Sequence, residues 1–456
     1  MPEIGPEHPT TYRQEIVQPI FHRIQARGSC VVISAASMGK SRLVQFLLRA
    51  DVQHHYLGEE AEHFLFVWAD CNRMAQVTEW GLYELLLTGL IEACGQHPRA
   101  QELRPELVTL RQEAILTANP LLAQRHLELA VRMLCQEQGL SLAILLDEFD
   151  ESYRTLPAQV LANLRGLRDV NKYRLSYVLF TREHPAQLRV LQESEGFYEL
   201  FSRSVYGLKP YQKEDARRIL QQLQVRRQHE LGSLSQEAQE ELLRLSGGHP
   251  GLLVALVDAL ASPSKSSEDS WETWAQNQPA VQEENRKIWH SLSHQEQLTA
   301  NRLAQGISTG FREREPLELR GLIRQLNGRI EFFSPLFRQY AIQNAPTSLS
   351  FWLDHRSGAV WVNGQPIIDL TPLEYKFVEY LETKQGELCT RDELLEHLYQ
   401  ETSSQELPAG TDSRLDALVR RIRKKIELDP SRPRFILTVR GRGYRLAKSN
   451  SQSSSL

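Results

Sequence analysis

Five short apolar runs, Cys30–Ile33, Phe64–Ala69, Leu142–Leu146, Tyr177–Phe180 and Val205–Leu208, punctuate the first half of the chain, with long helical stretches between them. Runs this short and this apolar read as strands buried on both faces. Strands that alternate with helices build a mostly parallel sheet covered on both sides, because each parallel connection needs a crossover. At 456 residues the chain is too long for one hydrophobic core, and ~150 residues per domain suggests about three. With 41% hydrophobic and 24% charged residues the balance is that of a folded globular protein.

Directly after the first run comes Ser34-Ala35-Ala36-Ser37-Met38-Gly39-Lys40-Ser41, followed by the helix-periodic Leu43, Phe46 and Leu47. A strand, a loop, Gly-Lys-Ser and a helix form the setting in which loop N–H groups and a helix N-terminus cradle phosphate. Ser34, Ala35, Ala36, Ser37, Met38, Gly39, Lys40, Ser41 and Arg42 are the expected nucleotide contacts, with Lys40 on the β- and γ-phosphates and Ser41 on Mg²⁺. Serines stand at 34 and 37, where glycines are common, so any loop position with positive φ carries strain there. A lone Gly-Lys-Ser is a weak signal, but two more elements accompany it. The run Leu142–Leu146 leads into Asp147-Glu148, one carboxylate for the Mg²⁺ shell and the next for the attacking water. The run Tyr177–Phe180 leads into Thr181-Arg182, a cation within reach of a γ-phosphate. Glu148 and Arg182 are therefore the expected catalytic pair, and Ser41 and Asp147 the metal ligands.

These motifs resemble the AAA+-related STAND NTPases, a switch class of P-loop proteins, over roughly residues 12–345. Ser34–Ser41 is similar to their Walker A, Leu142–Glu148 to their Walker B, and Phe180-Thr181-Arg182 to their sensor arginine motif. Gly248-His249-Pro250-Gly251-Leu252 resembles the Gly-x-Pro motif of the helical lid, which implies that Pro250 approaches adenine. Ile288-Trp289 through Phe332-Phe333-Ser334-Pro335-Leu336-Phe337 resembles the small winged helix that follows the lid, with a hairpin at Asn327-Gly328.

The C-terminal end reads differently. Thr371-Pro372-Leu373-Glu374 and Thr390-Arg391-Asp392-Glu393 each combine an N-cap with a Glu three residues on, the pattern of a capping box. A third helix, Asp412–Leu428, carries Leu415, Leu418, Val419, Ile422 and Ile426 on one face and a stripe of cations on the other. Such a stripe fits a helix laid in the major groove between phosphates; a solvated basic face is the alternative. Strands follow at Phe435–Val439 and Tyr444–Leu446 around the basic turn Arg440-Gly441-Arg442-Gly443, a wing suited to the backbone or minor groove. Arg414, Arg420, Arg421, Arg423, Lys424, Arg440 and Arg442 are the expected DNA contacts.

Residues 351–447 resemble the effector domain of the OmpR/PhoB response regulators. The matching stretches are Leu370–Tyr375, Arg420–Glu427 and Thr438–Leu446. The resemblance implies strands across Phe351–Leu370, a recognition helix at Asp412–Leu428 and a loop, Gln400–Thr411, able to touch RNA polymerase.

The expected fold is thus a multidomain α/β chain with a P-loop NTPase core on a parallel sheet, a helical lid, a small winged helix and an OmpR/PhoB-type winged helix-turn-helix. The expected boundaries are a lead-in at 1–11, the core at 12–208, the lid at 209–275, the small winged helix at 280–345, the DNA-binding domain at 351–448 and a disordered tail at 449–456. The expected function is a nucleotide-dependent transcription regulator in which ATP or ADP state, with Mg²⁺, controls homo-oligomer assembly on double-stranded DNA, the ATPase being a slow switch. The alternatives are an ATPase of a DNA transaction such as transposition, replication initiation or anti-phage defence, anchored by the winged helix, and a nucleotide-insensitive DNA binder. The five scattered cysteines form no metal-ligand or disulfide pattern, and the sequence has neither a signal core nor a long apolar run. These features read as a reduced cytoplasmic protein with no membrane partner.

Overall fold

The computed structural model describes residues 8–189, 196–227, 229, 232–261, 270–344, 351–354, 359–362, 365–367, 370–384, 386–399, 411–427, 430, 433, 435–439 and 441–447. Two compact units emerge, Met1–Leu292 with Thr299–Asn344, and Ser293–Leu298 with Ala345–Leu456. The boundaries expected between core, lid and small winged helix fall inside the first of these.

The first unit is organised by five strands: β1 (Cys30–Ser34), β2 (Phe64–Asp70), β3 (Ser141–Asp147), β4 (Leu175–Thr181) and β5 (Val205–Leu208). They form one parallel sheet in the order β2-β3-β4-β1-β5. Alternate residues of each central strand enter different cores, as the pleat requires. On one face Val32, Ala143, Leu145, Val178 and Phe180 pack with α1 (Gln14–Gln25), α2 (Lys40–Leu47) and the helix Pro250–Leu260. On the other, Val31, Ile33, Leu142, Ile144, Tyr177 and Leu179 pack with the helices Glu79–Cys94, Pro120–Arg132 and Ala158–Val170. Every residue of β1, β3 and β4 is buried, which is why these segments read as unbroken apolar runs rather than alternating ones. A hairpin follows further on, β6 (Ile323–Leu326) with β7 (Arg329–Phe332), turning at Asn327-Gly328 as its dipeptide predicts.

The second unit has its own core. Strands β8 (Phe351–Asp354), β9 (Ala359–Val362) and β10 (Gln365–Ile367) make an antiparallel sheet, followed by the helices Pro372–Thr383 and Arg391–Tyr399. The basic helix Thr411–Ile426 then leads to β12 (Ile436–Val439) and β13 (Gly443–Leu446), with β11 (Cys389–Thr390) on the far side of β13. The capping boxes form: the Thr371 hydroxyl accepts from the Glu374 N–H, and the Glu374 carboxylate accepts from the Thr371 N–H at 2.8 Å. Thr390 and Glu393 repeat the exchange. The loop at 400–410, Arg440 and the tail at 449–456 lie outside the described residues, as does most of the lead-in.

One buried cation ties the start of the chain to its later elements. Arg13, with no exposed surface, precedes α1 at φ 51°. Its guanidinium donates to the Met38 carbonyl and to the Lys209 carbonyl, both at 2.7 Å, and lies 4.1 Å from the Tyr211 ring centre. Its main-chain N–H donates to Asp215 at 2.9 Å. Sequence periodicity gives no hint of this role, because the residue sits just before the helix it anchors. Arg13→Ala removes the donor to the buried Met38 carbonyl and to the part-buried Lys209 carbonyl, and is expected to cost about 2–4 kcal/mol in urea unfolding followed by tryptophan fluorescence. Arg13→Lys is expected to recover little of that, since an ammonium lacks the planar fork that reaches both carbonyls.

Candidate nucleotide site and nucleic-acid interface

In the order β2-β3-β4-β1-β5 the connections from β1 and β4 leave in opposite directions, which opens a crevice beyond their C-terminal ends. The loop after β1 fills that edge and enters α2 at Lys40. Gly39 has φ 83° and Ser37 has φ 54°. Ser34 is the last residue of β1 and has no positive φ, so a serine costs nothing there. Of the two serines only Ser37 has the positive φ that carries strain, at about 1–2 kcal/mol.

Four charged groups converge on the crevice. Lys40 Nζ lies 2.8 Å from Glu148 Oε1 and 3.8 Å from Asp147 Oδ1. Arg182 reaches the other oxygen of Glu148 at 3.1 Å. The arginine loop is aimed by Asp150, whose carboxylate accepts the N–H groups of Arg182 at 2.8 Å and Glu183 at 3.2 Å. Glu148 itself sits at φ 50°. Burial pushes the Glu148 carboxyl upward, but Lys40 and Arg182 outweigh it and hold the group below its ordinary range. Burial raises Asp147, and Lys40 only partly offsets this. One carboxylate is therefore firmly ionised between two cations, while its neighbour is reluctant to carry charge without further cationic support.

Later parts of the chain close over the loop. His249 caps the helix Pro250–Leu260, its Nδ1 accepting from the Leu252 N–H at 3.2 Å. That leaves Nε2–H to donate to the Ala36 carbonyl at 3.1 Å. The Ala36 N–H donates to Ser291 Oγ at 3.1 Å, and the Ser291 hydroxyl donates to the Ile288 carbonyl at 2.7 Å. Gly251 permits this approach: a Cβ there would lie 2.7 Å from Ser37 Cβ. A Cβ on Gly39 would meet Pro250 Cγ at 3.8 Å, so Pro250 stands against the phosphate loop. Ser37 and Ser41 are exposed, and Arg42 is half-buried.

The structure thus gathers Lys40, Asp147, Glu148, Arg182 and Pro250 around one loop. It adds Arg13, Asp150, His249 and Ser291, which sequence reasoning missed. Only His249 had a signal, its place inside the Gly-His-Pro-Gly stretch. The residues fit a polyphosphate, with the N-terminus of α2 and a buried lysine presented together. Ser41 and Asp147 are hard oxygen donors of the kind Mg²⁺ takes alongside phosphates and water. Among the described residues no group of three or more His, Cys, Asp or Glu forms a dedicated metal cage.

In the second unit, Leu415, Leu418, Val419, Ile422 and Ile426 are buried. At about 100° per residue they span one arc of the basic helix. Arg420, Arg421 and Lys424 are exposed on the opposite arc, and Arg414 is exposed near the edge of the buried one. Lys425 and Arg423 fall at its two edges and are drawn into the fold. Lys425 bonds the buried Glu374 at 2.8 Å, while Arg421, 63% exposed, stays 3.8 Å from that carboxylate. Arg423 donates to the Ile436 carbonyl at 2.6 Å and to Thr438 Oγ1 at 2.8 Å. It therefore braces the hairpin against the helix, a placement that the expected contact role did not foresee. Arg442 is exposed at the hairpin turn. Asp416 accepts from Arg391 at 2.7 Å and from the Tyr444 hydroxyl, joining three elements of this unit.

Two outcomes follow from these placements. Burial lowers the His249 pKa from 6.5 to about 3, so below pH 6.5 the unfolded chain takes up the proton first and stability falls with pH. Urea midpoints compared above and below pH 6.5 are expected to show an extra loss of about 1.4 kcal/mol per pH unit in the native chain relative to His249→Asn. Arg423→Ala is expected to speed amide exchange across Ile436–Leu446, whereas Lys424→Ala leaves exchange unchanged and lowers only duplex affinity. Equal exchange in the two variants would remove the bracing role.

Comparison with known proteins finds a family match within the second unit. A family model described as transcriptional regulatory protein, C terminal, matches residues 364–446. Protein PetR of Rhodobacter capsulatus is 38% identical over 84 residues, 18% of this chain and 35% of that protein. The sensory transduction protein RegX3 of Mycolicibacterium smegmatis is 37% identical over 94 residues, 21% of this chain and 39% of that one. The chain thus spans little more than a third of the length of these two curated relatives. Among solved structures, the Walker-type ATPase paby2304 of Pyrococcus abyssi covers 73% of this chain and 98% of its own at 16% identity, with a TM-score of 0.43. The RstA DNA-binding domain of Klebsiella pneumoniae, solved with the RstA box, covers 22% of this chain and 98% of its own at 28% identity, with a TM-score of 0.19. Among the described residues no helix is long and apolar enough to cross a membrane. Residues 364–446 match the family of C-terminal domains of transcriptional regulatory proteins, a DNA-binding domain carried here in one chain with a unit built on a parallel sheet and a phosphate-type loop.

Proposed function

We propose that the protein is a cytoplasmic transcription regulator in which ATP or ADP binding by the first unit controls assembly of identical chains and, through it, binding of the second unit to double-stranded DNA. The observation that carries this reading is the convergence of Lys40, Glu148 and Arg182 at one sheet edge, in the same chain as an exposed arc of cations on the basic helix. Paired DNA-binding modules gain effective concentration steeply when held together, so control of assembly is control of DNA affinity.

Each residue has a role in this reading. Lys40 exchanges its carboxylate partner for phosphate oxygens, and the N–H groups at the start of α2 hold the same oxygens. Release from Lys40 lets Glu148 orient and deprotonate water, and Arg182 then faces the terminal phosphate. Ser41 and Asp147 would hold Mg²⁺, which supplies charge neutralisation on the phosphates. His249 and Ser291 grip the Ala36 peptide in the closed state, so nucleotide-driven loosening of that grip is the switch. Arg414, Arg420, Arg421, Lys424 and Arg442, with Arg440, meet phosphates and base edges of the duplex.

The test uses purified full-length protein. Lys40→Ala is expected to abolish binding of a fluorescent ATP analogue, and Glu148→Gln to keep binding while slowing turnover by about a hundredfold or more. Duplex affinity and stoichiometry are then measured with ATP analogue, with ADP and without nucleotide. Identical values in all three states would remove the switch and leave a nucleotide-insensitive DNA binder.

A further inference from the structure

A second cavity in the first unit is separate from the phosphate loop. An open groove of about 1220 Å³ lies between the helices Lys213–Arg226 and Gln236–Ser246 and the β6–β7 hairpin, and no residue of Ser34–Ser41 lines it. Small-molecule pockets usually enclose ~300–1,000 Å³. This size and openness suit a length of chain better than an enclosed small molecule.

The way β6 meets the groove points to its occupant. Ile323, Arg324 and Gln325, three consecutive β6 residues, line it, whereas β7 contributes only Phe332. Successive strand residues face opposite sides of a sheet, so a groove that touches three in a row runs along the strand's edge. Among the described residues β6 pairs with β7 alone, and its outer edge has no partner strand. An unpaired edge beside a groove is the setting in which an extended peptide adds as a further strand.

The side chains narrow the chemistry. Leu243, Phe332 and Phe333, each partly exposed, supply an apolar and aromatic surface. Several of the charged groups are satisfied locally: Arg244 pairs with Glu241 at 2.8 Å and Glu272 at 2.7 Å, and Arg324 with Glu331 at 3.0 Å. Glu318 faces Arg314 at 3.8 Å. The exposed Lys209, Lys213 and Arg217 remain, against the exposed Glu240. Lys213 and Arg217 stand four residues apart in the first turns of one helix, on the same face, where its dipole adds to their field.

We propose that this groove is a docking site for an extended, acidic peptide segment of a partner protein, which adds to the outer edge of β6, seats apolar side chains on Phe332 and Phe333, and sets carboxylates against Lys213 and Arg217. Main-chain pairing supplies register and affinity, and the cations select the sign of charge. The site does not depend on the nucleotide reading.

The experiment pans a display library of short randomised peptides against the full-length protein, then measures the selected peptides by fluorescence anisotropy. Acidic residues alternating with apolar ones, and depleted of proline, are expected to be enriched. Affinity is expected to fall about tenfold or more for the Lys213→Glu, Arg217→Glu double variant, and as much when the peptide's alternate amides are methylated to remove their N–H groups. Both substituted positions are exposed, and circular dichroism checks that the variant folds. Lys40→Ala is expected to bind the peptide normally, which separates this site from the nucleotide site. Failure to enrich acidic peptides, equal binding by the charge-reversed variant, or indifference to amide methylation, as a small anionic ligand would show, each overturns the proposal.

Discussion

A parallel strand delivers its last residue to the same edge of the sheet as its neighbours do, and the chemistry of the first unit depends on that constraint. Ser34, Asp70, Asp147 and Thr181 close β1, β2, β3 and β4 on one edge, with Asp70 and Asp147 in direct register. Residues scattered across the sequence become neighbours without any of them being chosen for local structure. The helices enforce the arrangement from both sides, since successive side chains of β1, β3 and β4 belong to separate cores and a one-residue slip would exchange them. The positions of Lys40, Glu148 and Arg182 are therefore set by the hydrophobic burial of the strands they follow, independently of the ion pairs among them.

This constraint explains what could be read in advance. The apolar runs gave the strands to within a residue or two, because a fully buried parallel strand leaves an unbroken signature. The lysine, the acidic pair and the arginine were legible because each follows such a run directly. The capping boxes at Thr371 and Thr390 were equally plain, being interactions between residues three apart. Illegible were contacts made by groups remote in sequence with no local pattern: Arg13 on Met38, His249 and Ser291 on Ala36, Lys425 on Glu374. Nothing in the spacing of a helix distinguishes an arginine that faces solvent from one, such as Arg423, drawn onto a neighbouring strand.

The basic helix shows how that distinction arises physically. Its buried residues occupy one arc, and cations at the two edges of the arc lie close enough to the core for their stems to be covered while their heads find partners. Lys425 neutralises a carboxylate that is only 2% exposed, and together with the Thr371 bonds holds that carboxyl below its ordinary range against the burial that raises it. Arg423 donates to a carbonyl of β12. Only the cations farther round retain the hydration and freedom that contact with a polyanion requires, so a count of basic residues overstates the surface presented to DNA.

The closed arrangement over the phosphate loop has an energetic consequence. Both polar groups of the Ala36 peptide are held by residues more than two hundred positions later, one through His249 and one through Ser291. Hydrogen bonds of this kind contribute about 1 kcal/mol each in net terms, and a strained Ser37 subtracts a comparable amount. The grip on the loop is therefore worth no more than a few kcal/mol. A ligand that prefers an open loop by a few kcal/mol is enough to reverse such an equilibrium, and one that prefers the closed loop deepens it. The sheet sets where the charges are, and the later helices set whether the loop between them is held.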